Sequence, residues 1–200
     1  MPTRGLALQL QTAVAIEILI MAPIRIKNLR ELALGIRLLR GRDGGLTVVL
    51  AEDDAKNELA HEVELPAPTV KLIDLYLKVY RLLLGGDGSP WLFPGQVPGH
   101  PKTDVRLREQ IQNAVRTHCG LAINPQLFRH LAAMIMLLDN PTAHGQVQRV
   151  LAHKSLGTTQ QYYAGMETRA AVQHHDKLVL EMRAEPEPLI ASRRRRGTRG

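Results

Sequence analysis

Apolar residues recur at helical spacing along most of the chain. Between positions 69 and 84 they fall at every third or fourth place, which predicts a long amphipathic helix: Val70, Ile73, Leu77, Tyr80 and Leu84. Proline and glycine bound most of the other segments with this pattern. Helices are predicted over residues 7–21, 25–34, 103–118, 125–138, 140–152 and 166–183. The helix at 140–152 would begin at Asn140 as N-cap, with proline in its first turn.

A different pattern lies between the predicted helices at 25–34 and 69–84. Residues 46–50 form a β-branched run after the turn at 42–45, and residues 61–65 alternate between polar and apolar side chains. Both patterns are typical of strands, and polar residues 52–58 separate them as a turn would. The predicted fold class is therefore α+β, predominantly α-helical, with one small antiparallel sheet. Residues 85–102, rich in glycine and proline, are predicted to be a loop.

Charge narrows the choice of partner. The chain carries a formal net charge of +7 and a pI near 9.9, which favours a polyanion such as nucleic acid or an anionic membrane surface. Five arginines lie in the last nine residues, so the rest of the chain is only mildly basic. Residues 184–200 are expected to form a basic, disordered tail that adds non-specific attraction to phosphates.

Cellular location and bound metals can also be approached from composition. Gln9, Gln11 and Glu17 interrupt the apolar run near the N-terminus, so we expect neither a signal peptide nor a membrane span. A single cysteine, Cys119, cannot form an internal disulfide, which suits a reducing cytoplasm. The cysteine and the histidines show no metal-ligand spacing. We therefore expect a soluble cytoplasmic protein with no metal and no cofactor.

Candidate chemistry begins near the C-terminal end. His153 is followed nine residues later by Tyr162, with Thr158 and Thr159 between them. Upstream, Arg129 interrupts the apolar residues of a predicted helix. Because a buried charge needs a partner, this arginine suggests a bound anion. The alternatives without chemistry are that Tyr162 only packs against the last predicted helix and that Arg129 only stabilises the fold.

Several segments, in this order, resemble the tyrosine recombinase (phage integrase) family. The stretch from Leu151 to Tyr162 is similar to the family's Leu-Gly-His and Thr-x-x-Tyr signature, and residues 126–130 are similar to its His-x-x-Arg-His box. Residues 23–29 resemble the segment carrying the first catalytic arginine, and Lys56 lies in the turn where the family keeps a lysine. The sequence Trp91-Leu92-Phe93 resembles the Leu-Phe that precedes the second arginine. The resemblance covers about residues 7–183.

The resemblance implies a reaction on double-stranded DNA. Tyr162 would attack the scissile phosphorus to leave a 3′-phosphotyrosyl enzyme and a free 5′-hydroxyl. Arg25 and Arg129 would bind the non-bridging oxygens, since a guanidinium is planar and always charged. Lys56 would protonate the departing oxygen, and His153 would hydrogen-bond the phosphate. Tyr163 is the alternative nucleophile, although the spacing from the threonines favours its neighbour.

The chain also departs from the family pattern. Gln126 stands where the family usually has the histidine of its His-x-x-Arg box. Glutamine can donate a hydrogen bond but cannot accept a proton at neutral pH, so weakened activity is expected. Residues 1–183 are expected to form the catalytic domain, and the family's N-terminal core-binding domain is expected to be absent.

The sequence allows two roles for the last helix and two functions besides recombination. By resemblance, the last helix would link protomers into a homotetramer on DNA, and its alternative is to pack on its own domain. One competing function is a non-catalytic DNA-binding remnant of an integrase, which the change at Gln126 favours. The other is a type IB topoisomerase-like enzyme, which shares the chemistry and acts as a monomer.

Overall fold

The structure, a computed structural model, describes residues 1–50, 61–140 and 142–151. Within these ranges the chain is mostly helical. Its first helix, α1, begins after Thr3, whose hydroxyl accepts a hydrogen bond from the Leu6 N–H (3.2 Å), and it ends just before Pro23. The α-helices are α1 (Arg4–Met21), α2 (Ile26–Arg30), α3 (Ala67–Leu75), α4 (Asp104–Cys119), α5 (Leu127–Asp139) and α6 (His144–Val150).

Helix α1 forms the centre of the hydrophobic core. By length and composition alone it would suffice to cross a membrane. However, Val14, Ile18 and Leu19 have no exposed surface, and α1 contacts α3, α4 and α5. A helix that buries one apolar face against other elements is typical of a protein core.

The predicted sheet is present and has one more strand than expected. Strands β1 (Leu38–Arg40), β2 (Leu46–Leu50) and β3 (His61–Glu64) form an antiparallel sheet in the order β1-β2-β3. Strand β2, predicted from its β-branched run, buries alternate residues, which is the pattern of a half-buried strand. Strand β1 escaped prediction because its three residues are too few to show an alternating pattern.

Helix α2 is shorter than predicted. Instead of continuing to position 34, it ends at Arg30, and the chain then pairs with the loop that precedes α4. The Leu32 carbonyl accepts from the Leu92 N–H (2.8 Å), and the Leu34 N–H donates to the Pro90 carbonyl (2.7 Å). These long-range bonds take up main-chain groups that a longer helix would have used, so tertiary pairing overrides local propensity.

The single helix predicted over residues 69–84 is interrupted. Helix α3 continues into one π-helical turn, Tyr76–Tyr80, and then a 3₁₀ turn, Arg81–Leu84, closed by Gly85 in the left-handed conformation (φ 80°). Tyr76 is fully buried at the start of this turn. Its hydroxyl donates to the Leu92 carbonyl (3.1 Å) and accepts from Gln11 (2.8 Å).

A buried arginine holds the loop after these turns. Arg81, only 6% exposed, donates from its guanidinium to the main-chain carbonyls of Gly86 (2.7 Å), Ser89 (2.5 Å) and Trp91 (2.7 Å). All three carbonyls lie within ten residues of the arginine in sequence. Arg81 therefore stabilises a local loop whose backbone polar groups would otherwise be buried without partners.

Helices α5 and α6 enclose a small hydrophobic cluster of their own. The members are Ala133, Met136, Leu137, Val147 and Leu151. The predicted start of the last described helix is wrong. Helix α6 begins at His144, while the Asn140 side chain accepts from the Thr142 N–H (3.0 Å) and hydroxyl (2.8 Å). Asn140 thus forms a local turn, which competes with helix capping for the same side chain.

Candidate active site

Arg129 has the most informative position among the predicted site residues. It lies in the first turn of α5 and is only 3% exposed. One terminal nitrogen of its guanidinium donates to the Pro23 carbonyl (2.6 Å), and the other donates to the Leu151 carbonyl (2.7 Å). The buried guanidinium of Arg129 therefore has main-chain partners. Its burial alone does not require a bound anion, contrary to the interpretation from sequence.

The two carbonyls belong to the segments that carry other predicted site residues. Pro23 precedes Arg25 by two positions, and Leu151 precedes His153 by two positions. In sequence, Arg129 is 106 residues from the first carbonyl and 22 from the second. A single guanidinium therefore joins three parts of the chain that are distant in sequence, and each of them contains or directly precedes a predicted site residue.

Arg25 lies at the entrance to α2. Its backbone is extended (φ −73°, ψ 152°) and its carbonyl accepts from the Leu29 N–H (2.9 Å), so it is the N-cap residue of this short helix. The side chain is half-buried. The helix cap fixes the backbone at this position, and the neighbouring Pro23 carbonyl is held by Arg129.

Gln126 lies one turn before Arg129, at the start of α5. Its N–H donates to the Asn124 side chain (3.1 Å), and its own side chain is exposed and does not cap the helix. Residues three apart lie on neighbouring parts of a helix surface. Gln126 is therefore accessible to a ligand that approaches the N-terminal end of α5.

Three predicted site residues, Lys56, His153 and Tyr162, lie outside the described residues, as does the alternative nucleophile Tyr163. The described residues on either side of the segment 51–60, Leu50 and His61, pair with each other in the sheet.

A second polar network crosses the core between α1, α4 and the loop before α4. The Lys102 ammonium donates to the side-chain oxygens of Gln11 and of Gln110 (2.5 Å), and Gln11 in turn donates to Tyr76. Burial, with a smaller contribution from the charge of Arg4, lowers the pKa of Lys102 to about 8. Burial also raises the pKa of Tyr76 to about 12. This network joins structural elements and includes none of the predicted site residues.

Sequence reasoning missed the main-chain part of the site. Residue type does not distinguish the carbonyls of Pro23 and Leu151 from any others, because every residue has a main-chain carbonyl. The only available signal was the arginine inside an apolar helix, which sequence reasoning attributed to an anion.

Comparison with known proteins identifies the family. A profile of the phage integrase family matches residues 4–169. The tyrosine recombinases XerD of Brucella suis biovar 1 (strain 1330) and Brucella melitensis biotype 1 (strain ATCC 23456 / CCUG 17765 / NCTC 10094 / 16M) are each 32% identical to this chain over 136 residues. The match covers 62% of this chain and 43% of each relative, so the chain spans less than half the length of these relatives.

Solved structures agree on the fold. A crystal structure of the XerH site-specific recombinase bound to its difH substrate superimposes with a TM-score of 0.61 at 20% identity, covering 81% of this chain and 44% of that chain. The XerA recombinase gives 0.61 at 18% identity, covering 86% of this chain and 62% of that chain. The chain belongs to the phage integrase family, and its fold is that of tyrosine recombinase catalytic domains.

Proposed function

We propose that this chain is the catalytic domain of a site-specific DNA recombinase that cuts and rejoins double-stranded DNA through a 3′-phosphotyrosyl intermediate. Residues 1–183 would form this domain, and residues 184–200 would form a basic tail. The bonds from Arg129 to the Pro23 and Leu151 carbonyls are the observation that carries the proposal. They connect the segments that lead to Arg25 and His153, as an active site built from these motifs requires.

The proposed reaction needs a nucleophile, a proton donor and fixed positive charge. The Tyr162 oxygen attacks the phosphorus and forms a new P–O bond as the bond to the 5′-oxygen breaks; the tyrosine proton passes to water, and Lys56 gives a proton to the departing 5′-oxygen. Arg25, Arg129 and His153 bind the phosphate oxygens as charge develops in the transition state. Rejoining reverses these transfers, and since the covalent bond to tyrosine keeps the energy of the broken phosphodiester, no nucleotide or other cofactor is consumed.

Arg129 donates to two carbonyls through its two terminal nitrogens. In the proposed complex the same guanidinium, which carries five N–H groups, also donates to a phosphate oxygen.

Assembly and location follow from the proposed reaction. Exchange between two duplexes needs several active sites on the same DNA, and we propose a homotetramer linked through the segment at 166–183. We propose a cytoplasmic location for this enzyme. A protomer that instead relaxes supercoiled plasmid alone would indicate the type IB topoisomerase-like alternative.

Covalent trapping on nicked suicide DNA tests the function. The probe is a pool of duplexes drawn from the DNA that flanks the coding sequence, with wild type compared against Tyr162→Phe and Tyr163→Phe. We expect an adduct that survives denaturation with wild type and Tyr163→Phe and is lost with Tyr162→Phe. Loss only with Tyr163→Phe would move the nucleophile by one residue. Absence of any adduct, in protein shown to bind the same DNA, would favour a non-catalytic remnant.

Gln126 allows a test of whether a proton acceptor at this position increases the rate of DNA cleavage. Restoring a proton acceptor with Gln126→His should accelerate adduct formation, and positioned acid–base groups typically contribute ~10²–10⁴-fold. We expect a gain towards the lower end of that range, because the position plays a supporting role. The measurement is the single-turnover rate of trapping, with Gln126→Asn as the control that lacks a titratable group. Equal rates for wild type and Gln126→His would contradict the prediction.

A further inference from the structure

Among the residues that the structure describes, the buried arginines Arg81 and Arg129 bind main-chain carbonyls over very different distances along the chain. Arg81 binds carbonyls no more than ten residues away, all in one loop. Arg129 binds two carbonyls that lie 106 and 22 residues away, in two separate segments. The first arrangement orders a loop. The second determines how remote parts of the chain sit relative to one another.

The segments that Arg129 joins belong to two different hydrophobic clusters. Helix α6 and Leu151 pack mainly on α5, in the small cluster of Ala133, Leu137 and Val147. Pro23 lies between α1 and α2, which belong to the large core. The guanidinium therefore spans the boundary between the two clusters, beside Phe128, which packs in the large one.

We infer that Arg129 is a positioning residue as well as a phosphate ligand, and that it sets the placement of Arg25 relative to α5 and α6 through the Pro23 and Leu151 carbonyls. The inference rests on the proposed function and adds a role that acts before DNA binds. Two residues of chain reach at most about 7 Å, so holding the Pro23 carbonyl restricts where Arg25 can lie.

Amide hydrogen exchange in DNA-free protein tests the placement directly. In Arg129→Ala we expect exchange to rise about 10- to 100-fold in α2 and α6, the loss expected when a hydrogen bond to a charged group is removed. The matched control is Arg81→Ala, in which the rise should be confined to the loop at 86–91. Unchanged exchange in both α2 and α6 of Arg129→Ala would overturn the inference.

A second experiment separates positioning from phosphate binding. Replacing Ala152 by lactic acid, through amber suppression, converts the Leu151 carbonyl into an ester carbonyl, a weaker acceptor, and leaves the guanidinium intact. We expect the single-turnover rate of adduct formation to fall ~10-fold or more, since small misplacements of reacting groups are costly. DNA affinity should stay within about twofold of wild type, because the phosphate ligands are all retained.

The outcomes of the two experiments are distinguishable from failure of the proposed function. An unchanged trapping rate in the ester variant would overturn the positioning role while leaving the recombinase assignment intact. If wild type forms no adduct, the recombinase assignment fails. Hydrogen exchange then still decides whether Arg129 holds the two segments together, because that measurement needs no DNA.

Discussion

The large core around α1 and the small cluster between α5 and α6 are stabilised in different ways. The large core contains fully buried residues from four helices, the sheet and the loop at 91–93. The small cluster has four buried members, from α5 and from the stretch that follows it. The first buries enough apolar surface to hold its elements together. The second depends in addition on polar bonds, from Arg129 to carbonyls on both sides.

This difference matters because Arg129, a predicted site residue, bonds to segments on both sides of the boundary. Pro23 and Arg25 belong to the large core's side, whereas Leu151 belongs to the small cluster. A site divided between a stable body and a weaker appendage can lose its geometry without global unfolding. Substitutions on the two sides should therefore produce different patterns of change.

The largest effect is expected in the centre of the large core. Ile18→Ala removes a side chain with no exposed surface and should lower the free energy of unfolding by about 4 kcal/mol, through lost burial and the cavity left behind. Denaturant unfolding measures the change. Ile20→Ala, at a position in the same helix that is 45% exposed, is the matched control and should cost under about 1 kcal/mol. Similar losses in the two variants would show that α1 is not the centre of the core.

A smaller and more local effect is expected in the small cluster. Leu137→Ala should reduce the free energy of opening of α6 by about 2 kcal/mol, since a thin cluster can collapse partly around the cavity. Hydrogen exchange should rise in α6 while α1 stays protected. Leu138→Ala, at a neighbouring position that is 60% exposed, is the control. Equal loss of protection in α1 and α6 would mean that the two clusters unfold as one unit and would remove the distinction.

The smallest effect concerns pH and the polar network of the large core. The pKa of Lys102 is lowered by burial to about 8, below its ordinary value of 10.5. Between these two pH values the unfolded chain binds more protons than the folded one, so stability should rise with pH across this window. After allowance for solvent screening we expect about 1 kcal/mol.

Unfolding free energies measured from pH 7.5 to 10.5, a window set by the shifted and ordinary lysine pKa values, check this. Lys102→Met should remove the rise, whereas Lys71→Met, at an exposed position, should leave it in place. Parallel curves for wild type and Lys102→Met would show that this lysine titrates normally.

Much of the fold could be predicted from residue patterns. The apolar composition of α1, the β-branched run of β2 and the glycine that ends α4 are local signals, and the structure confirms the elements they indicate. The errors fall where long-range bonds compete with local preference. Helix α2 stops early because Leu32 and Leu34 pair with the loop at 90–92, and Asn140 forms a turn instead of capping α6.

The candidate site divides in the same way. The order and spacing of five residues identified the family, because motifs made of side chains are visible in the sequence itself. These residues are Arg25, Lys56, Arg129, His153 and Tyr162. Their roles, and that of Gln126, stay predictions. Residue type does not predict which main-chain carbonyl a buried arginine binds.

The sequence by itself determined the family, the mainly helical character of the chain, the small sheet and the candidate side chains. Each depends on local periodicity or on a short motif. Only the tertiary structure revealed the partners of Arg129 and the separation of the core into two clusters. These features arise from contacts between residues as much as 106 positions apart, and the packing of α1, α5 and α6 brings those residues together.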